Sequence, residues 1–241
     1  MKLYVAPRAP NPRRVQMFIA GKCVLTAPKT PAASAPLDPK GPPGGPWGAV
    51  GLGRPGADPS GIEQVNVDLN AGEHRGEAFR GKSALAQVPA LELDDGRVLS
   101  ESRAICTYLE GLWPEPNLMG RDFDERAFIE MADRRVELYF MFGFALAIRH
   151  THPGLAPLEH PQFPEFGRSQ GEKAREVAHW LDSELARHPF VAGDRFTIAD
   201  ITAFCAIEFA RGLLKFRPGE EGMPHLQAWR DRMAERPSAR V

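Results

Sequence analysis

Strand-like alternation in this 241-residue chain is confined to its first hundred residues, and beyond about residue 124 the apolar residues recur with the 3.6-residue period of helices. That division leaves few architectures open: a small α/β unit followed by a helical bundle, with no second sheet. Residues 2–6 alternate briefly and meet Pro7 and Pro10, which reads as a short strand ended by a rigid loop. Asn11-Pro12 pairs a preferred N-cap residue with a proline at the first helical position, predicting a helix over about 11–21. Residues 62–69 alternate like a half-buried strand, a short polar helix is expected over 77–82, and residues 89–93 and 98–100 flank an Asp-Gly turn as a hairpin. A helix over 101–112 follows, with Ala104, Ile105, Tyr108 and Leu109 on one face. Further helices are expected over 124–149, 165–187, 197–214 and 224–234.

One segment breaks this order. Between Cys23 and Ser60, sixteen of thirty-eight residues are Pro or Gly and large apolar side chains are few. Such a stretch buries too little surface to offset its ordering entropy, so residues 23–60 read as a disordered insertion between the first helix and the second strand.

Bulk composition excludes several classes. A hydrophobic fraction of 43% fills a packed core, and 30 basic against 31 acidic residues leave a formal charge of -1, which offers no overall basic field for nucleic acid. No secretory leader is visible, and the most apolar run, 139–148, is about half the roughly 20 residues a bilayer-spanning helix needs. Cys23, Cys106 and Cys205 are far apart and form neither a C-x-x-C nor a metal-ligand spacing, which fits inert thiols in a reducing cytosol.

If the first two strands run parallel and the hairpin follows, four junctions fall on one edge of the sheet: residues 7–11, 68–74, 87–90 and 100–102. Two of them open helices, whose free N–H groups attract anions, so an acidic small molecule fits that edge.

At that edge, Gln87-Val88-Pro89-Ala90-Leu91 followed by Leu99-Ser100-Glu101-Ser102-Arg103-Ala104-Ile105 resembles the glutathione-binding core of the glutathione S-transferase family. The run from Val67 to His74, VDLNAGEH, resembles the same region of theta-like and bacterial members, and Phe196-Thr197-Ile198-Ala199-Asp200-Ile201-Thr202 resembles the helical-domain capping box of that family. The resemblance implies a thioredoxin-like domain over 1–112, a linker over 113–123 and an all-helical domain over 124–241. It implies glutathione as co-substrate, a small hydrophobic electrophile, no metal, no nucleic-acid or membrane partner, and a cytoplasmic, detoxifying homodimer. By the same resemblance a cis Val88–Pro89 bond exposes the Val88 main chain to the cysteinyl part of glutathione. Glu101 and Ser102 take its γ-glutamyl end, His74 contacts its glycine carboxylate and Gln87 borders the peptide. Taken alone, Pro89 reads as a trans proline opening an edge strand, Ser102 as a helix cap and His74 as an exposed loop histidine. Thr197 and Asp200 have capping-box spacing and serve folding, not chemistry.

Members of that family activate the thiol with Tyr, Ser or Cys after the first strand, or with Asn and backbone N–H groups in some bacterial types. Here the position most like the theta-type Ser is Ala9, and Tyr4 lies inside the strand, which leaves Asn11 as the catalytic candidate. To be mostly ionised at neutral pH, a thiol must become about a hundredfold more acidic, roughly 2.7 kcal/mol. A hydrogen bond to the charged form supplies about 1.5–3 kcal/mol and a helix N-terminus about 0.3–1, so Asn11 suffices, while a plain N-cap role is equally consistent. Arg13 and Arg134 are further candidates for anion or second-substrate contacts. The expected function is conjugation of the glutathione thiolate to an electrophile. The alternatives are glutathione-dependent disulfide or peroxide reduction, and a non-catalytic glutathione- or protein-binding module.

Overall fold

The computed structural model describes residues 1–23 and 59–241; of the expected insertion, residues 24–58 lie outside the described residues. A four-stranded sheet and a set of helices build the chain in the expected order. Strands β1 (Lys2–Val5), β2 (Glu63–Asn66), β3 (Ala90–Glu92) and β4 (Val98–Ser100) assemble as β2-β1-β3-β4. β1 and β2 are parallel with Lys2 opposite Glu63, β3 runs antiparallel to both neighbours, and Gly96 supplies the left-handed residue of the hairpin turn at φ 84°.

Period-2 alternation decides the two faces. Leu3 and Val5 point to helices α1 (Pro10–Cys23) and α3 (Ser102–Leu112) and are almost fully buried there. Tyr4 points the other way, edge-on to Phe79 of the short helix α2 (Glu77–Arg80), with Val67 and Ala90 alongside.

α1 differs from its expected bounds at both ends. It starts at Pro10, because Ala9 already accepts the Arg13 N–H at 3.2 Å, so Asn11 lies in the first turn and is not the N-cap. Pro10 and Pro12 both fit that turn, where N–H groups have no intrahelical partner to lose. At its other end α1 continues to Cys23, and Pro59–Gly61 forms a single 3₁₀ turn with Pro59 buried, so these flanks of the expected insertion are structured. Both flanks meet the sheet where β1 and β2 begin, the edge opposite the proposed site.

The helical unit comprises α4 (Phe123–Arg135), α5 (Phe142–Thr151), α6 (Pro164–Leu185), α7 (Ile198–Leu214) and α8 (Pro224–Ala234). The continuous helix expected over 124–149 is interrupted by a wide π turn at Val136–Met141. Val136, Phe140, Phe144 and Ile148, four residues apart, all have zero exposure. In a regular α-helix a four-residue spacing drifts by about 40° each time, and one wide turn reverses part of that drift, keeping the row on the core. α5 and α6 approach closely: a Cβ at Gly167 would stand 2.8 Å from Thr151 and 2.9 Å from His150. No helix among the described residues is long and apolar enough to cross a membrane.

The capping box forms as expected, and Asp200 reaches further than that motif requires. Its buried carboxylate accepts the N–H of Thr197 at 2.9 Å, that of Val191 at 3.0 Å and Trp229 Nε1 at 3.0 Å, tying α7 to α8 and to the preceding turn. Burial pushes this carboxyl up to about 6, against those bonds. Asp200→Ala removes the acceptor of three donors, two buried and one partly buried, and urea unfolding is expected to show a loss of about 3 kcal/mol or more, against about 1 kcal/mol for Thr197→Ala.

Candidate functional site

Because β1, β2 and β4 point one way and β3 the other, the ends of β1, β2 and β4 and the start of β3 share one edge, as expected from the junctions. The backbone is under unusual constraint there. Arg8 (φ 66°), Ala86 (φ 54°) and Glu101 (φ 66°) are three of the four non-glycine residues with left-handed φ among the described residues, and all three sit in loops at this edge. Such conformations cost of order 1 kcal/mol or more each and persist where surrounding structure holds a site open.

α3 opens at this edge without a side-chain cap. Glu101 precedes it, exposed, with no partner for its carboxylate among the described residues, while Ser102 at the first helical position is buried. The free N–H groups of this first turn, the Ser102 hydroxyl and the Glu101 carboxylate together offer an anion cradle beside a place for a cation. Ser102 Oγ lies 3.5 Å from Asn11 Oδ1, so the structure brings the two sequence candidates together from separate helices. Pro10 and Pro12 carry no N–H, which leaves Asn11 as the sole residue of the first turn of α1 with one to donate, alongside its exposed side-chain amide. Ala9 offers no hydroxyl, and the Tyr4 hydroxyl is committed to Glu92 Oε2 at 2.6 Å, which Lys82 also holds at 2.6 Å.

Val88–Pro89 is cis, and the Val88 main chain has no hydrogen-bond partner among the described residues. Gln87 is exposed, its N–H held by Ser83 Oγ at 3.1 Å. His74 falls in a 3₁₀ turn after β2 and is buried, 7% exposed, with Nδ1 unpartnered. Burial and the neighbouring Arg75 and Arg80 hold its imidazole below the usual value, so it is neutral at pH 7.

Of the two sequence-named arginines, Arg13 turns away. Its Nη2 donates to the Ala239 carbonyl at 3.1 Å and its guanidinium lies 5.4 Å from the Phe204 ring centre. Arg134 pairs with Glu130 and Glu137. The residue that sequence reasoning missed is Arg14. It is fully buried, and Nη1 donates to Ser102 Oγ at 3.2 Å and to Glu137 Oε1 at 2.7 Å. Cys106 and Cys205 are buried, their thiols pushed up to about 12 by desolvation, so neither serves as a nucleophile at neutral pH. Among the described residues no three His, Cys, Asp or Glu side chains converge as a metal site. Two open clefts on the helical unit, one around Tyr139 and Trp180 and one around His150 and Phe163, include none of the sheet-edge residues.

Comparison with known proteins bears on what this edge is for. The family model described as the glutathione S-transferase N-terminal domain matches residues 59–112, and that of the C-terminal domain matches residues 148–237. Across 241 residues the chain is 37% identical to Glutathione S-transferase 2 of Saccharomyces cerevisiae, covering 100% of this chain and 88% of that protein. Among solved structures, Gtt2 from Saccharomyces cerevisiae aligns with a TM-score of 0.80 at 32% identity, over 100% of this chain and 99% of that one. A glutathione S-transferase domain-containing protein from Marinobacter aquaeolei VT8 also gives 0.80, at 36% identity over 99% of each chain. With relatives this similar along its whole length, and both halves of the α/β-plus-helical architecture matched, the chain belongs to the glutathione S-transferase family.

Proposed function

We propose that this chain is a glutathione transferase that joins the sulfur of glutathione to a small hydrophobic electrophile. The observation that carries the reading is the uncapped start of α3, where Ser102 and free N–H groups stand beside the unpaired Glu101 carboxylate. Glutathione has two carboxylates, one ammonium and a central peptide, and the edge offers a matching set. Ser102 and the α3 N–H groups suit the γ-glutamyl carboxylate and Glu101 its ammonium. The unpaired Val88 main chain beside cis Pro89 suits the cysteinyl peptide, with Gln87 at its border, and His74 suits the glycine carboxylate.

Glutathione supplies the sulfur nucleophile. Asn11 supplies a side-chain amide donor and one main-chain N–H, together worth about 2–4 kcal/mol to a thiolate, which covers the roughly 2.7 kcal/mol required. Leu138 and Phe142, exposed on the stretch that carries Glu137 and Met141 against Arg14, support an apolar second substrate. The division into 1–112, linker 113–123 and 124–241 is proposed with this reading, as is a cytoplasmic setting, which suits the buried thiols of Cys106 and Cys205.

With a halonitroarene as electrophile, Asn11→Ala is expected to lower kcat about tenfold or more with little change in glutathione affinity. Ser102→Ala is expected to weaken glutathione about tenfold. Wild-type protein that binds glutathione yet gives no conjugation above background sinks the enzymatic reading. Turnover of a disulfide or peroxide instead, lost in Asn11→Ala, favours the reductase.

A carboxylate against His74 raises its proton affinity from a depressed starting value, so binding is linked to proton uptake and fades as pH rises. S-methylglutathione, whose sulfur carries no proton, is expected to bind more tightly at about pH 6 than at about pH 8, and His74→Asn to flatten that slope. An unchanged slope in the variant removes His74 from the site.

We further propose a homodimer through the outer face of α4, where Phe123, Phe128 and Met131 are 81%, 66% and 40% exposed. Light scattering is expected to give twice the 26.6 kDa chain mass, and Phe128→Glu with Met131→Glu to give the single mass. A wild-type monomer contradicts it.

A further inference from the structure

We propose that the cleft between the end of α5 and the first turn of α6 is a second small-molecule site, suited to a planar aromatic carboxylate. The Nε2–H of His150, the open main-chain N–H groups of Glu165 and Phe166 and the Arg168 guanidinium take the anion, and the Phe163 and Phe166 rings take the aromatic body. The cleft includes none of the sheet-edge residues, so this assignment does not rest on glutathione binding there.

Close packing builds the floor of this cleft. Gly167 lets α6 approach α5 so nearly that a Cβ there would stand 2.9 Å from His150, which is itself only 7% exposed. His150 Nδ1 accepts the Phe163 N–H at 3.2 Å, which places the ring proton on Nε2. That N–H has no acceptor within hydrogen-bond reach among the described residues. Glu159 Oε1 stands 3.9 Å away, and Arg149 holds the same carboxylate at 3.2 Å. A buried donor left without an acceptor is a cost that an oxygen of a ligand relieves. Gln162 fixes the connection around it, its Nε2 donating to the carbonyls of Arg149 at 2.6 Å and His152 at 3.0 Å.

The walls of the cleft point to the same ligand. α6 runs for 22 residues and starts at Pro164 without a side-chain cap, and the N–H groups of Glu165 and Phe166 find no acceptor among the described residues. A long helix attracts an anion at its start, and His150 adds an independent donor there. Arg168, exposed in the same stretch, has no carboxylate partner among the described residues. Phe163 and Phe166 are 57% and 45% exposed, with ring centres 6.0 Å and 5.1 Å from the imidazole. A flat ligand removes both rings from water at once. The space is about 930 Å³, within the range of small-molecule sites. Glu165 is the one acid lining it, so a monoanion suits the cleft better than a dianion.

The test uses the full-length protein and β-naphthoate, with binding followed by titration calorimetry. One molecule per chain is expected to bind with a Kd of about 0.1 mM or tighter, and the uncharged β-naphthamide about tenfold more weakly. His150→Asn keeps an acceptor for the Phe163 N–H but removes the Nε2–H, and is expected to weaken β-naphthoate about tenfold. Phe166→Ser is expected to cost about tenfold and Arg168→Gln about threefold, while Glu165→Gln tightens binding about twofold. These last three residues lie on the exposed rim, so their variants carry the comparison should His150→Asn fail to fold. S-hexylglutathione, directed to the sheet edge, is expected to leave β-naphthoate bound. The assignment is overturned by the absence of saturable binding up to about 5 mM, by equal affinity for the amide, or by unchanged affinity in the folded variants. Displacement by S-hexylglutathione also overturns it, because that result puts the ligand at the sheet edge instead.

Discussion

Everything at the candidate site depends on how α1 is held between the sheet and the helical unit, and two buried cations decide that. Arg14 and Lys22 are both without exposed surface, Arg14 against Glu137 of the π turn and Lys22 against Glu110 of α3 and the Pro116 carbonyl. Glu110 in turn accepts the N–H groups of Leu118 and Met119, so the connection into α4 is tied to the same pair. Leaving either cation buried without its carboxylate costs about 3–5 kcal/mol, whereas the paired state need not be more stable than an apolar contact. The pairs therefore act mainly against alternatives. A docking of the helices in any other register strands one of the two charges.

That constraint sets the division of labour between two helix starts. α3 begins with free N–H groups and no cap, and its first residue is fixed by Arg14. α1 begins with two prolines, and of its first turn only Asn11 can donate from the main chain. A bound anion therefore finds several donors at α3 and few at α1. On the reading proposed above, recognition of glutathione leans on α3 and stabilisation of its thiolate on a single asparagine.

How far this was legible in the sequence follows from what kind of signal each feature leaves. Leu3, Tyr4 and Val5 alternate, Gly96 marks the turn, and Thr197 with Asp200 marks a helix start, because each rests on local stereochemistry written in adjacent residues. The sheet edge followed from strand order alone. Arg14 left no such trace. Arg13 and Arg14 are neighbours of the same type, about 100° apart on the helix, and only the packing of the helical unit turns one to the Ala239 carbonyl and the other to Ser102. The start of α1 was misread for a related reason: with prolines at 10 and 12, either can serve as the first helical residue, and the Arg13 N–H to Ala9 bond decides between them. The π turn was hidden too, since the four-residue spacing from Val136 to Ile148 passes for an ordinary helix until drift is counted.

That extra residue in the turn links the fold to the proposed chemistry. It lets Val136, Phe140 and Phe144 stay in the core while Glu137 and Met141, between them, meet Arg14. Leu138 and Phe142 immediately follow those two residues and are exposed. On the reading proposed above, the clamp for the first substrate and part of the wall for the second are thus carried by one turn of helix. A regular α-helix through the same residues would rotate either the core row or the Arg14 partners out of place. On that reading, the wide turn allows a single helix to serve the core, the ion pair and the wall of the proposed second-substrate cleft together.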